Sequence, residues 1–114
     1  MKLDKALKIQ EEEFKECIKL RISKAKDYAS DEDCLQNFKK IATLCKILSI
    51  DITRPCGVAM QDALLKIDRL CNLIFRKKIK DPINEPLRDS FRDLKNYLSL
   101  AEECLIEETE NTII

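Results

Sequence analysis

The sequence predicts an all-α fold, most simply a four-helix bundle, on three observations. Glycine occurs once and proline three times in 114 residues, whereas a β-sandwich or barrel needs turn residues at every ~10 positions. Apolar residues make up 45% of the chain and charged residues 37%, which is typical of a packed core surrounded by solvated helix faces. Four segments repeat apolar residues at helical spacing. A chain of this length forms one domain, which we place at residues 1–106.

The first two predicted helices lie in the N-terminal half of the chain. The first runs from about Leu3 to Ser23. Its apolar residues follow one another at intervals of four residues, with one interval of seven: Leu3, Leu7, Phe14, Ile18 and Ile22. The second begins at Ser30, because serine is a good N-cap and Asp33 follows it at the distance of a capping box. It continues to Leu48 on a stripe of Leu35, Phe38, Ile41, Ala42 and Cys45.

The last two predicted helices flank a connection that contains proline. Pro55, which is tolerated in a first helical turn, starts the third helix. This helix reaches about Ile74 and is the most apolar segment of the chain. The fourth helix runs from about Leu87 to Ile106, and we expect residues 107–114 to form a frayed tail.

Composition argues against several classes of function. Basic and acidic side chains are equal in number, at 21 each, so the excess of Lys and Arg on which non-specific nucleic-acid binding depends is missing. The basic run from Arg76 to Lys80 is interpreted as a solvated helix end favoured by the helix dipole. Because the chain has no histidine, any catalysis would use carboxylates, Lys, Tyr, Ser or Cys.

The six cysteines are predicted to be reduced and buried rather than disulfide-bonded. No pair has the Cys-x-x-Cys spacing of a structural zinc site. Several fall in register with Leu and Ile, where free Cys behaves as a small hydrophobic residue. The first residues lack the apolar run of a signal peptide, and no segment approaches the ~20 apolar residues that span a bilayer. These features predict a cytoplasmic protein with no membrane partner.

Polar residues beside the apolar stripes form a candidate site. Burying such residues costs free energy unless they are paired with one another or bind a ligand. Lys66 and Arg69 share a strip on the third helix, and Asp89, Asp93 and Tyr97 share one on the fourth. Carboxylates four residues apart can share a Mg²⁺ whose shell is completed by water and phosphate. A Lys and an Arg on a neighbouring helix could hold that phosphate. The alternative is an interhelical salt-bridge cluster that needs no ligand.

A second polar cluster precedes the second helix. It consists of Lys24, Asp27 and Tyr28, followed by Asn37. One interpretation is that these residues form a pocket wall, in which Tyr28 stacks on a nucleotide base and Asn37 forms hydrogen bonds with that base. The other is an ordinary connection whose tyrosine packs on the end of the bundle.

Four stretches carry a resemblance to a known family. They are Lys24-x-x-Asp27-Tyr28, Leu35-x-Asn37-Phe38, Leu64-Leu65-Lys66-Ile67-x-Arg69-Leu70 and Asp89-Ser90-x-x-Asp93-Leu94-x-Asn96-Tyr97. In this order and spacing, the chain resembles a phage-borne family of small helical proteins related to the MazG-like all-α nucleoside triphosphate pyrophosphohydrolases. The resemblance covers roughly residues 20–105.

The resemblance implies a MazG-like bundle, assembled as a homo-oligomer, that binds a nucleotide with Mg²⁺ and cleaves between the α and β phosphates. The family takes acidic ligands from Glu-x-x-Glu on one helix and Glu-x-x-Asp on a later one. Asp93 matches the end of the second motif, while Ser90 stands at its Glu position and Asp89 is the candidate substitute. Glu13 and Glu16 have the spacing of the first motif but precede the matched stretch.

The expected site therefore has three parts. The catalytic and metal-binding residues are Asp89 and Asp93. The phosphate-binding residues are Lys66 and Arg69. The base-binding residues are Tyr28, Asn37 and Tyr97. Two alternatives to a pyrophosphohydrolase stay open: a non-catalytic, nucleotide-sequestering anti-defence protein, favoured by the missing acidic ligands, and a protein–protein inhibitor module in which the polar strips are only salt bridges.

Overall fold

The structure is a computed structural model that describes residues 1–28, 33–81 and 84–113, with the side chains of residues 26–28 and 112–113 outside the description. Its helices are α1 (Leu3–Tyr28), α2 (Gln36–Ile47), α3 (Pro55–Cys71) and α4 (Glu85–Ile113), and a π-helical turn (Asn72–Arg76) extends α3. No strand occurs in these ranges, and the all-α prediction is confirmed. Within the same ranges, no helix is both long and apolar enough to cross a membrane.

Helix α2 begins later than the capping signal predicts. Ser30 lies outside the described residues, and the helix starts at Gln36. The turn before it is organised by Asp33, whose Oδ1 accepts the backbone N–H of Leu35 at 3.0 Å. Its Oδ2 accepts a hydrogen bond from Lys39 Nζ at 2.9 Å, which lowers the pKa of Asp33. Asp33 therefore closes the connection that leads into α2 instead of lying in the first turn of the helix.

The core lies between α3 and α4, which make the most extensive contact between helices in the described chain. Its buried centre consists of Leu70, Leu73 and Leu87, with Ile74, Ile79 and Leu94 packed around it. Four other buried positions on the two helices carry small residues, namely Ala59, Ala63, Ser90 and Ala101. Small side chains let the helix axes approach closely. The fully buried Ser90 satisfies its hydroxyl by donating it to the carbonyl oxygen of Pro86 at 2.7 Å.

The first turn of α3 is held by the C-terminal part of α4. One carboxylate oxygen of Glu108 accepts the backbone N–H of Cys56 at 3.0 Å, and the other accepts a hydrogen bond from Arg54 at 2.8 Å. The carboxylate thus caps a helix start whose N–H groups lack intrahelical partners. Hydrogen bonds from the backbone and thiol of Cys56 and from Arg54 lower the pKa of Glu108 to about 2. Helix α4 accordingly continues past Ile106, and residues 107–113 are helical where the sequence predicts a frayed tail.

The single glycine of the chain lies in the same turn of α3. A β carbon at Gly57 would overlap the backbone carbonyl oxygen of Asp51. Asp51 also accepts hydrogen bonds from the backbone N–H and the hydroxyl of Thr53, at 2.9 and 2.6 Å. The loop between α2 and α3 can pass this close to the helix because glycine has no side chain.

Helix α1 lies against α3 and the π-helical turn at few points. Its residues up to Lys24 are exposed, apart from the half-buried Ala6. The radius of gyration is 18.4 Å, whereas a compact chain of this length would have one of about 13 Å. A single copy of the chain therefore leaves the apolar face of α1 uncovered, and the MazG-like bundle stays a prediction.

The six cysteines are free thiols. Cys17, Cys34 and Cys71 are exposed, so the predicted burial is wrong for these three. They occupy helix or turn positions that the fold leaves open to water. The other three, Cys45, Cys56 and Cys104, are half-buried.

Candidate functional site

An open cavity of about 750 Å³ lies where the four helices approach one another. Helix α1 contributes Cys17, Leu20, Arg21 and Lys24 to its walls. The segment that leads into α2, and α2 itself, contribute Cys34, Asn37 and Phe38. Helix α3 contributes Asp62, Leu65 and Lys66, and α4 contributes Tyr97. The volume falls in the range of small-molecule pockets, roughly 300–1,000 Å³.

Lys66 is the cation that α3 brings to this cavity. Its side chain is 19% exposed, and its ammonium nitrogen lies 3.3 Å from Oδ2 of Asp93 on α4. The polar strips of α3 and α4 therefore do meet, and one ion pair of the predicted interhelical cluster is formed. Asp93 is 46% exposed, and ion pairs that are this open to water contribute about 1 kcal/mol or less to stability.

Two further cations reach the cavity from α1. Arg21 and Lys24 both line it, and Arg21 Nη2 lies 3.7 Å from the thiol sulfur of Cys34. Among the described residues, Asp62 is the acidic side chain of the lining. The cavity wall therefore carries an excess of positive charge, which attracts anions. Sequence reasoning missed Arg21, although Cys17, Arg21 and Lys24 follow one another at four and three residues and so share a helix face.

The remaining walls are apolar, aromatic and amide-bearing. Leu20 and Leu65 come from facing helices, Phe38 and Tyr97 supply rings, and Asn37 supplies a carboxamide. Asn37 is buried, and Tyr97 is half-buried. Two of the predicted base-binding residues, Asn37 and Tyr97, therefore line one cavity. The third, Tyr28, ends α1, but its side chain lies outside the described residues.

Three of the predicted site residues that the structure describes do not line the cavity: Asp89, Asp93 and Arg69. Asp89 is exposed, one turn before Asp93 on α4, and Arg69 is half-buried, one turn after Lys66 on α3. Of the four charged residues that the sequence predicts to converge on one hollow, Lys66 lines the cavity and Asp93 contacts Lys66, whereas Asp89 and Arg69 lie elsewhere. Residues three or four positions apart lie on the same side of a helix, but they need not face the same cavity. The cavity is lined by Tyr97 from α4 and by Lys66 from α3.

The predicted magnesium site has no complete set of ligands in the described part of the chain. Asp93 forms an ion pair with Lys66, and Asp89 is not among the residues that line the cavity. Across residues 1–25, 33–81 and 84–111, no group of three or more Cys, Asp or Glu side chains is placed to hold a metal ion. Magnesium binding and hydrolysis stay predictions from the resemblance.

A second interhelical ion pair lies away from the cavity. Lys40 Nζ on α2 lies 2.6 Å from Oδ1 of Asp68 on α3, and the side chains are 31% and 4% exposed. The second carboxylate oxygen of Asp68 is buried and accepts no hydrogen bond from a described residue. Sequence reasoning missed this pair because no local pattern links α2 to the buried side of α3. The pair joins the two helices.

Comparisons with known protein families, with curated proteins and with solved structures return no match for this chain.

Proposed function

We propose that this protein binds a nucleotide in the cavity between its four helices and holds it without hydrolysing it. The observation that carries the proposal is the meeting of Lys66, Asn37 and Tyr97, from three separate sequence segments, on the wall of one cavity of about 750 Å³. The two chemical needs of a nucleotide are a cationic place for phosphate and a flat, partly apolar place for the base. The cavity wall offers both.

The phosphate end of the ligand is proposed to lie at the cations. Arg21 presents a planar guanidinium that can bind two phosphate oxygens at once, and Lys24 and Lys66 add ammonium groups on facing helices. An ammonium has three donors, so Lys66 can keep its contact with Asp93 and still donate to a phosphate oxygen. The ion pair therefore leaves donors of the ammonium available to the ligand.

The base end is proposed to lie at the amide and the aromatic rings. Asn37 is buried, and its carboxamide offers both a donor and an acceptor, which is what the hydrogen-bonding edge of a base requires. Tyr97 and Phe38 offer ring faces for stacking. The leucines at positions 20 and 65 add apolar surface beside them.

Binding without hydrolysis is favoured over the pyrophosphohydrolase by the positions of the carboxylates. Metal-assisted phosphoryl chemistry depends on acidic ligands that hold the ion beside the phosphate. Asp93 is bonded to Lys66, and Asp89 is exposed outside the lining. The MazG-like relationship, the homo-oligomeric state and the phage origin enter this proposal from the sequence resemblance alone.

The test is titration calorimetry with nucleoside mono-, di- and triphosphates, in Mg²⁺ and in a chelator, followed by chromatography of the recovered ligand. We expect binding in the chelator, an intact ligand, and at least tenfold weaker binding by Lys66→Gln. Lys95→Gln is the matched control, because Lys95 is exposed on α4 and does not line the cavity. Release of pyrophosphate would replace the proposal with the hydrolase, and no binding of any nucleotide would overturn both.

A further inference from the structure

Two of the free cysteines lie on the wall of the cavity. Cys17 belongs to α1, Cys34 belongs to the turn before α2, and both side chains are exposed. The proposed nucleotide contacts use neither of them. Because the two residues come from separate segments of the chain, only the fold places both thiols on one cavity.

Arg21 connects the two cysteines. It follows Cys17 by four residues, so the two side chains are neighbours on one face of α1. A long side chain in a helix points back towards the N-terminus, and for Arg21 this direction leads to the turn that carries Cys17. The Nη2 atom of Arg21 donates a hydrogen bond to the sulfur of Cys34 at 3.7 Å. Cys34 therefore lies beside the part of α1 that carries Cys17.

The packing of α1 allows the two thiols to approach each other. A disulfide needs Cα atoms within about 7 Å of each other. Helix α1 contacts α3 and the π-helical turn at few points, whereas the buried core lies between α3 and α4. A shift of α1 across the open cavity towards α2 would therefore leave the buried centre of the molecule intact.

The surroundings of this pair differ from those of the other cysteines. Reactive thiols lie in accessible, electropositive surroundings, and the cavity wall supplies Arg21 and two lysines. Cys56, in contrast, is half-buried and donates its thiol to the Glu108 carboxylate at 3.1 Å, which raises the pKa of the thiol. Cys71 is exposed but does not line the cavity. The pair on the cavity wall therefore combines access, positive charge and a second thiol in one place.

We infer that Cys17 and Cys34 form a reversible disulfide when the protein meets hydrogen peroxide. In the first step the sulfur of Cys34 attacks the peroxide, the O–O bond breaks, and the thiol proton leaves with the departing oxygen as water. The sulfur of Cys17 then attacks the resulting sulfenic acid, which forms the S–S bond and releases a second water. Two thiols are oxidised while one peroxide is reduced to two waters, and an external dithiol reverses the bond by exchange. This modification is independent of whether the cavity binds a nucleotide.

The first test is exposure of the full chain, at micromolar concentration, to hydrogen peroxide. Alkylation of the remaining thiols and peptide mass spectrometry without reduction then identify the linked residues. We expect a linkage between Cys17 and Cys34 within one chain, and we expect dithiothreitol to remove it. Cys71→Ser is the matched control, because Cys71 is exposed outside the cavity, and it should form the linkage at the wild-type rate. A linkage that is absent, or that forms only between chains, would overturn the inference.

The second test addresses the order of the two steps and the part played by Arg21. Cys17→Ser removes the second thiol, so Cys34 should stop at the sulfenic acid and be labelled by dimedone, whereas Cys34→Ser should give much less label at Cys17. Arg21→Gln should slow the oxidation of Cys34 severalfold, because it removes the cation beside the sulfur. Lys15→Gln is the control, since Lys15 is exposed on α1 and does not line the cavity. Equal labelling of the two serine variants, or an Arg21→Gln rate equal to that of the wild type, would contradict the arrangement.

Discussion

The ammonium nitrogen of Lys66 lies 3.3 Å from a carboxylate oxygen of Asp93, at the wall of the cavity that the four helices enclose. This contact is one of the interhelical salt bridges that the polar strips of α3 and α4 predict. It also holds the ammonium group of Lys66 beside the cavity. Lys66 therefore contributes both to the packing of α3 on α4 and to the proposed binding of an anion.

Asp93→Asn separates binding from metal-dependent chemistry. If the cavity binds phosphate through its cations, this change removes a nearby negative charge, so nucleotide affinity should stay the same or increase up to about tenfold. Calorimetric titration of the variant beside the wild type measures this difference. Affinity that falls together with turnover of the nucleotide would instead assign Asp93 the role of a metal ligand.

Glu108→Gln should make the protein less stable at neutral pH, because the variant loses the charged cap of α3. The pKa of Glu108 is about 2 in the folded chain against 4.5 as the ordinary value. The carboxylate therefore contributes its stability above pH 4.5 and loses it as the pH falls towards the folded pKa. Urea unfolding near pH 7 and near pH 3 should show a gap between wild type and variant that narrows in acid.

The control for this change is Glu107→Gln, because Glu107 is exposed on the same helix. It should leave the free energy of unfolding nearly unchanged at both pH values. A gap that stays constant with pH would show that Glu108 acts by packing and not by its charge.

Gly57→Ala should destabilise the chain although alanine is the better helix former. The exchange favours a helix interior by up to about 1 kcal/mol, but the new β carbon would overlap the carbonyl oxygen of Asp51. Displacing the loop should cost about 1–3 kcal/mol, so we expect a net loss of stability in thermal or urea unfolding. An increase in stability would mean that the loop before α3 moves freely.

Lys40→Met should cost more stability than Asp68→Asn. The lysine variant leaves the Asp68 carboxylate, which is 4% exposed, without its cation, and removing one partner of a buried pair costs about 3 kcal/mol or more. The aspartate variant leaves Lys40, which is 31% exposed and can turn towards water. Urea unfolding of both variants measures the order, and the reverse order would contradict the assigned burial of the pair.

The candidate site could be predicted from the sequence only in part. The sequence identifies Lys66 and Tyr97 by their positions beside apolar stripes and Asn37 by the polar cluster around the start of the second helix, and all three line the cavity. Asp89, Asp93 and Arg69 have equally good positions by spacing but do not line it. Spacing shows which residues share a side of a helix, but the rotation of that helix against its neighbours depends on packing at distant positions, such as the small residues between α3 and α4.

The sequence by itself determined the all-α class and the approximate positions of the four helices, because apolar spacing and the scarcity of glycine act within each segment. Only the tertiary structure decided that Glu108 caps α3, that Lys40 meets Asp68, and that α1 keeps an uncovered apolar stripe. These relationships join residues far apart in the chain. They depend on how whole helices pack, and no local pattern of residues carries that information.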